Sequence, residues 1–414
     1  MIKKILVVFV FFITVSAISQ ETIKTMFYNL LEYPTAAPSG RDQILKSILD
    51  AYEPDVFMVC ELESPEGADN ILNVSLNSNG VEYSAFPFFD NTSSEIDLQN
   101  LLFYRSNMFT VETSQIISTT VRDINRYQLK LNTEDAETDP VIIDFFITHL
   151  KSSQGSANES LRLDMVTQFT AVLETIDPNS YVIFTGDLNL YDAEEPAYLE
   201  LLDPTNAIKM VDPIDTPGDW HNNVDFQNLH TQSTRQSSGG FGAGAGGGMD
   251  DRFDFILVSE NMLTDPKLQY SPGSYKAYGN NGNCYDNDVN AAECTGEFQQ
   301  SLRNQLYNMS DHLPVIMQLQ TNQNIILANE DVTYLQNKIR LEKTIVSTEV
   351  RLEFSQQPMV PITVEIFNTI GQKLTETTLT TENGSINVSE LSNGIYYLKT
   401  NISNSQTLKF LKAS

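Results

Sequence analysis

The sequence predicts an α/β sandwich followed by a smaller all-β domain. Short apolar runs alternate with segments of helical period up to about residue 320. Polar residues stand where the most strand-like runs end. Beyond residue 320 the charge balance and the hydrophobic period both change. A chain of 414 residues suffices for one large domain and a smaller one, and 41% apolar content supports an ordinary packed core.

Taken in order, Met1-Ile2-Lys3-Lys4 precedes an almost wholly apolar run over 5–17. This is the positive n-region and apolar h-region of a signal peptide, too short for a membrane span. Ala17 and Ser19 suit cleavage before Gln20, so 1–19 is read as a signal peptide and the chain as exported, with no membrane span after cleavage. Residues 22–28 read as a strand and 41–52 as a helix. The runs 55–60, 101–104, 141–148, 181–185, 253–258 and 314–319 read as buried strands, and 158–175 as an amphipathic helix.

Two stretches interrupt this pattern. G-G-F-G-A-G-A-G-G-G, Gly239 to Gly248, suggests a phosphate cradle, yet no Gly-Lys-Ser/Thr follows and the next run is a strand. A P-loop or dinucleotide fingerprint needs a helix there, so the segment is read as a flexible surface loop. The Gly-, Asn- and Tyr-rich stretch 270–307 is read as an ordered excursion near one rim of the sheets. It contains Cys284 and Cys294, able to form a local disulfide in an exported chain. Cys60, inside V-F-M-V-C-E, reads as a buried small hydrophobe.

From residue 321 onward there are 8 basic and 9 acidic residues, against 17 and 45 before it, so nearly all of the −29 formal charge lies on the large domain. That domain has no broad basic surface of the kind that drives non-specific nucleic-acid binding. A polyanionic substrate would need metal ions and a local positive patch. The tail alternates β-branched and polar residues around turns at Gly371 and at Asn-Gly pairs, the pattern of hairpins.

The strand ends carry the chemistry. Asn29 closes T-M-F-Y-N, Glu61 closes D-V-F-M-V-C-E, and His149 closes D-F-F-I-T-H. Asp187 and Asn189 close V-I-F-T-G-D-L-N, Asp254 lies in R-F-D-F-I-L, and Asp311-His312 precedes L-P-V-I-M. Sheets buried on both faces expose their ends, so such residues can converge on one cleft. Carboxylates and an amide supply hard oxygen ligands for Mg²⁺. A His–Asp pair fixes an imidazole beside a phosphate. An Asp–Asn pair two apart on an extended segment points to one side and can position a water. This is an inventory for metal-assisted phosphoester hydrolysis.

At these residues the chain resembles the endonuclease/exonuclease/phosphatase family, in the order Y-N, V-C-E, T-H-L, G-D-L-N, R-F-D-F-I-L and S-D-H-L-P-V. The resemblance covers roughly 21–320 and implies the four-layer DNase I-like sandwich, two sheets flanked by helices. It implies Glu61 as principal ligand of Mg²⁺ (or of Mn²⁺ or Ca²⁺), with Asn29 and Asp311 beside the metal or phosphate. Asp187 and Asn189 would orient the attacking water. His312 would contact the scissile phosphate, with His149 as its counterpart and Asp254 bonded to one imidazole. Some members have an acidic residue where this chain has Leu31, which leaves a second metal site in doubt; Glu32 receives no role. Of the four histidines, His221 and His230 are read as loop or rim residues. Arg105 and Arg162 could steady a phosphate, although Arg162 on an amphipathic helix reads more simply as a solvated or ion-paired surface residue.

The run I-F-N-T-I-G-Q-K, then I-N-V-S-E-L-S-N-G-I-Y-Y-L-K and a closing K-F-L-K, resembles the C-terminal sorting domain of type IX secretion cargo. It implies passage through that machinery to the cell surface or medium. The expected organisation is therefore a signal peptide (1–19), a catalytic domain (20–320), a linker (321–340) and a sorting domain (341–414). The expected protein is a monomeric, secreted, endonuclease-like phosphodiesterase acting on nucleic acid. A phospholipid phosphodiesterase or phosphomonoesterase of the same fold, or a non-catalytic surface binding protein, are the alternatives.

Overall fold

The computed structural model describes residues 20–93, 98–327, 339–354, 362–379, 385–400 and 407–413. The stretch 1–19 read as a signal peptide and most of the stretch 321–340 read as a linker lie outside them. The chain divides into two compact units, with the boundary between Ile326 and Leu327.

The first unit is built on two sheets. One comprises β1 (Glu21–Tyr33), β2 (Val56–Leu62), β3 (Tyr83–Ala85), β4 (Gln99–Arg105), β11 (Gln269–Tyr270), β12 (Lys276–Ala277) and β13 (Val315–Thr321). Its order is β11-β13-β1-β2-β4-β3, with β12 also on β13. The other comprises β5 (Phe109–Ile117), β6 (Ile124–Leu131), β7 (Ile142–His149), β8 (Tyr181–Asp187), β9 (Met210–Val211) and β10 (Asp254–Ser259), in the order β5-β6-β7-β8-β10-β9.

Alternation along each strand decides which layer a side chain enters. In the second sheet Ile143, Phe145, Ile147, Ile183 and Ile256 pack with residues of the first sheet. Their neighbours Phe146, Val182, Phe184 and Phe255 pack against Met165, Val166, Phe169 and Leu173 of α3 (Ser156–Leu173) and Tyr198 of α4 (Pro196–Leu201). The outer face of the first sheet is covered by α1 (Arg41–Tyr52) with Leu45, Ile48 and Leu49, and by α5 (Gln300–Met309) with Leu306 and Met309. Each buried Leu, Ile or Phe contributes roughly 1.5–3 kcal/mol. The result is the four-layer sandwich that the resemblance implied. A short α2 (Pro65–Asn70), with Ser64 Oγ accepting from the Gly67 amide, follows β2.

Where the structure differs from the sequence reading, the reasons are local. The hairpin β5–β6 was not read as strands, because β5 keeps most of its residues half-buried and its middle, T-V-E-T-S-Q, is mainly polar. The stretch 270–307 is more than a rim excursion. It supplies two edge pairings to β13 and the helix α5, and it carries the Cys284–Cys294 disulfide. Cys60 is buried and free, as read.

The second unit holds a three-stranded sheet, β14 (Ile339–Leu341), β16 (Glu349–Phe354) and β19 (Ser385–Asn387). Its five-stranded sheet runs β15 (Ile345–Val346), β21 (Leu408–Lys412), β20 (Gly394–Thr400), β17 (Ile362–Asn368) and β18 (Lys373–Leu379). Val350, Val364, Ile366, Leu398 and Phe410 form its core. Gly371, at φ 80°, turns the β17–β18 hairpin.

Candidate active site

Strand register brings the predicted residues together. β7 and β8 run parallel with His149 beside Asp187, and β10 runs antiparallel with Asp254 beside Asp187. Three functional side chains thus stand abreast on adjacent strands of one sheet. In the facing sheet Asn29 pairs with Cys60, which puts Glu61 next in line, and Phe27 pairs with Val315, which puts Asp311 and His312 just before β13 at the same end. Gly186 precedes Asp187 because a Cβ there would collide with the Thr148 carbonyl of the neighbouring strand. Leu31, Glu32, Glu61 and Asn189 all leave their strands with φ between 43° and 56°. Such left-handed non-glycine residues cost free energy and concentrate at functional sites.

The centre of the site is one carboxylate oxygen. Asp187 Oδ2 lies 3.5 Å from His149 Nε2 and 3.6 Å from His312 Nε2, and accepts from Asn29 Nδ2 at 3.0 Å. Its other oxygen, Oδ1, accepts from the backbone and side-chain amides of Asn189, at 3.1 and 2.8 Å. Asn189 therefore does not continue an extended segment beside Asp187. A left-handed turn folds it back onto the carboxylate.

Asn29 also donates to Glu61 Oε1 at 3.0 Å, while its own Oδ1 accepts from the Leu31 amide. With acceptors on one side and a backbone donor on the other, the amide orientation is fixed. Asn29 turns its NH₂, not its carbonyl, toward the carboxylates. Glu61 Oε2 accepts from the Glu32 amide at 3.0 Å.

His312 Nδ1 sits 2.7 Å from Asp254 Oδ2. Burial alone would push this imidazole down, but Asp254, Asp187 and Asp311 outweigh it and hold it well above the usual histidine range. His149 is pushed well below that range by burial, with Arg122 and His312 adding to the effect. The two imidazoles flanking one carboxylate are thus biased to opposite charge states. Burial raises the Asp187 carboxyl to about 7, and raises Glu61, with the charge of Asp311 contributing.

Asp311 Oδ2 accepts from the Ala245 amide at 2.6 Å and from Gln232 Nε2 at 3.1 Å, while its Oδ1 is buried with no partner among the described residues. Glu61, His149 and Asp187 form one group able to hold a metal ion, and Asp187, Asp254 and His312 another.

The remaining candidates separate cleanly. Arg105 pairs with Asp55, which precedes β2, at the end of the sheet away from Glu61. Arg162 is not solvated: it is fully buried and paired with Glu195 at 2.7 Å. His221 is a half-buried loop residue 2.6 Å from Asp251. His230 is not a rim residue. It is fully buried between the Met249 and Trp220 carbonyls.

The glycine-rich segment departs most from its reading as a flexible loop. It is largely exposed, yet its inner edge rests on the site: Ala245 caps Asp311, and a Cβ on Gly244 would meet Asp311 Cγ at 2.9 Å. Gln232, which sequence reasoning missed, has its Nε2 2.6 Å from His312 Nε2. Arg122, also missed, donates to the His149 and Leu150 carbonyls, and Lys151 follows on the chain. These cations supply the positive charge beside His149 that the acidic surface lacks.

Residues 346–412 match the secretion system C-terminal sorting domain, so the chain carries a tail of the kind that directs export. None of the curated proteins matches the chain. Among solved structures, the chain is similar to D. rerio TDP2 complexed with a single-strand DNA product, at 16% identity, 72% of this chain, 99% of that one and a TM-score of 0.47. An endonuclease/exonuclease/phosphatase family protein from Bacteroides thetaiotaomicron gives 15%, 73%, 96% and 0.47. A mannosyl-6-phosphatase from the same species gives 14%, 72%, 99% and 0.43. No helix among the described residues is long and apolar enough to cross a membrane.

Proposed function

We propose that the chain is an exported, divalent-metal-dependent phosphodiester hydrolase acting on nucleic acid by in-line attack of water. The observation that carries this reading is Asp187 Oδ2, set between two imidazoles of opposite charge bias beside the carboxylate of Glu61.

The donor set fits a hard cation, because Asp311 Oδ1 is buried and unpartnered and Glu61 offers a second carboxylate. Glu61 and Asp311 would hold Mg²⁺ (or Mn²⁺ or Ca²⁺), which supplies charge neutralisation at the phosphate and the leaving oxygen. Asn29, donating to both Glu61 and Asp187, holds these carboxylates in place. Asn189 fills Asp187 Oδ1 with two hydrogen bonds, whereas among the described residues Oδ2 accepts a hydrogen bond only from Asn29, so Oδ2 is the oxygen to take a proton from the attacking water; a carboxyl near 7 suits a base at neutral pH. The water oxygen bonds to phosphorus as the opposite P–O bond breaks. His312, held cationic by Asp254, donates Nε2–H to a phosphoryl oxygen whose charge grows in the transition state. His149, biased neutral, leaves Asp187 uncrowded by a second cation. Export would begin with residues 1–19 and finish through the type IX machinery that reads the tail.

The test is hydrolysis by the mature full chain of three substrates: supercoiled plasmid, an unpaired oligonucleotide and a phospholipid. Each is run with Mg²⁺, with EDTA, and with His312→Ala. Cleavage of nucleic acid that needs metal and His312 supports the proposal. Hydrolysis of phospholipid alone keeps the site and replaces the substrate. Inertness toward all three overturns it.

A further inference from the structure

The strap over 236–248 is pinned at its neck. Gly247 and Gly248 donate to the Gln236 and Arg235 carbonyls, and Ser233 N donates to the Gly248 carbonyl at 2.6 Å. From this neck it reaches over the site in two places. On one side Ser233 Oγ holds the Ala245 carbonyl at 2.9 Å and the Ala245 amide caps Asp311. On the other, the ring of Phe241 lies 3.5 Å over the Arg235 guanidinium and meets the ring of Tyr307 edge-on at 5.6 Å.

Arg235 is the unusual member of this arrangement. It is fully buried, its Nε donates to the Tyr307 carbonyl, and both terminal nitrogens lack a hydrogen-bond partner among the described residues. The other deeply buried guanidiniums differ. Arg41 and Arg303 spend their terminal nitrogens on carbonyl oxygens, Arg162 divides its own between the Lys151 and Ser153 carbonyls and the Glu195 carboxylate, and Arg252 spends its own chiefly on Asp212. A buried guanidinium whose fork is unpaired is costly, and that planar fork matches a phosphate. Arg235 follows Thr234, whose amide donates to the Asp311 carbonyl at 2.9 Å, so the chain carries it directly beside the site.

We propose that Arg235 is a phosphate-binding residue of the substrate site, stowed beneath Phe241, and that the glycine strap swings away from it when a phosphate-bearing chain enters. This rests on the phosphoester reading of the neighbouring carboxylates. The phosphate it takes is one next to the scissile phosphate, as in an unpaired nucleic acid strand, because the fork is buried beneath the strap against the ring of Phe241, and a flexible single strand threads under such a cover more readily than a stiff duplex. The glycines fit this role: Gly242, Gly244, Gly247 and Gly248 all have positive φ, so the strap is built of residues that turn freely at low steric cost.

The test is arginine labelling with phenylglyoxal on the full chain, mapped by peptide mass, with exposed Arg351 as internal standard. Arg235 should label slowly in the native chain, and a short unpaired oligothymidylate, in EDTA or in Mg²⁺, should protect it further. Phe241→Ala removes only the cover and should speed labelling of Arg235 about tenfold relative to Arg351, as loss of a cation–π contact implies. No acceleration in the variant, or no protection by the oligonucleotide in either condition, overturns the proposal. Protection without hydrolysis would keep Arg235 as a binding group while removing the reaction. Hydrolysis without protection would do the reverse.

Discussion

His312 Nδ1 lies 2.7 Å from Asp254 Oδ2, and its opposite nitrogen faces Asp187 from 3.6 Å. One carboxylate therefore sets the ring's orientation and favours its charge, leaving Nε2 to face the site. Asp254→Asn keeps the shape and removes the anion. The expected loss in kcat is on the order of 10²–10⁴, with KM little changed, as for other imidazoles that lose an orienting carboxylate. Because Asp254 heads the groups that raise the imidazole, the alkaline limb of the pH–rate profile should move to lower pH. An unmoved limb would mean that Asp254 is structural only.

Glu61 is placed to grip a cation, with both its oxygens already steered by Asn29 and the Glu32 amide. Glu61→Gln should weaken Mg²⁺ or Mn²⁺ binding by at least about tenfold in calorimetric titration, since even indirect supports of metal ligands are worth that much. Burial raises the Glu61 carboxyl, with Asp311 adding to it, so protons compete with the metal from a higher pH than usual. Wild-type affinity should fall as pH drops, starting from a higher pH than an ordinary glutamate would set. Unchanged affinity in the variant would move the cation elsewhere in the cluster.

The strand-end residues were legible because sequence motifs such as G-D-L-N and S-D-H-L-P name both the strand and the residue that leaves it. Asn29, Glu61, His149, Asp187, Asn189, Asp254, Asp311 and His312 all meet at one end of the sandwich. What local pattern could not give is the supply from between strands. Gln232, Arg235 and Ala245 sit in a stretch without period, and their roles follow from long-range packing against residues 307–312. The burial of His230, read as a loop or rim residue, was hidden for the same reason, since a polar residue in a loop-like run gives no sign that the run is buried. The direction of the Asn29 amide is likewise a property of its neighbours rather than of its identity.

Asp187 links the site to stability. Its carboxyl is raised by burial to about 7, so the folded chain holds that proton more tightly than the unfolded one does. The stabilisation is fully present below about pH 4, where both states are protonated, and is lost as pH rises toward 7. Asp187→Asn mimics the protonated form at every pH. In EDTA the variant should match wild type only below about pH 4 and gain on it progressively as pH rises toward 7, exceeding it at pH 8 by on the order of 1–3 kcal/mol in thermal or urea unfolding, while its kcat falls about 10²–10⁴-fold. Parallel pH dependence in the two proteins would show that the carboxylate is not held at a cost.

Arg162 ties together the loops that follow His149 and Asn189. Its Nε and Nη2 bond Glu195 Oε2 at 2.8 and 2.7 Å, and its Nη1 donates to the Lys151 and Ser153 carbonyls just after His149. Glu195 Oε1 in turn accepts from the Tyr191 amide, two residues after Asn189. Both members of the pair are buried, so removing one leaves an uncompensated charge. Arg162→Met should cost about 3–5 kcal/mol in urea unfolding. The double variant Arg162→Met/Glu195→Met should recover much of that loss, because no stranded carboxylate remains. Its activity should stay low even so, since the Lys151 and Ser153 carbonyls and the Tyr191 amide lose the bonds that set His149 and Asn189 in register. Full recovery of both stability and activity would show that the pair only fills space.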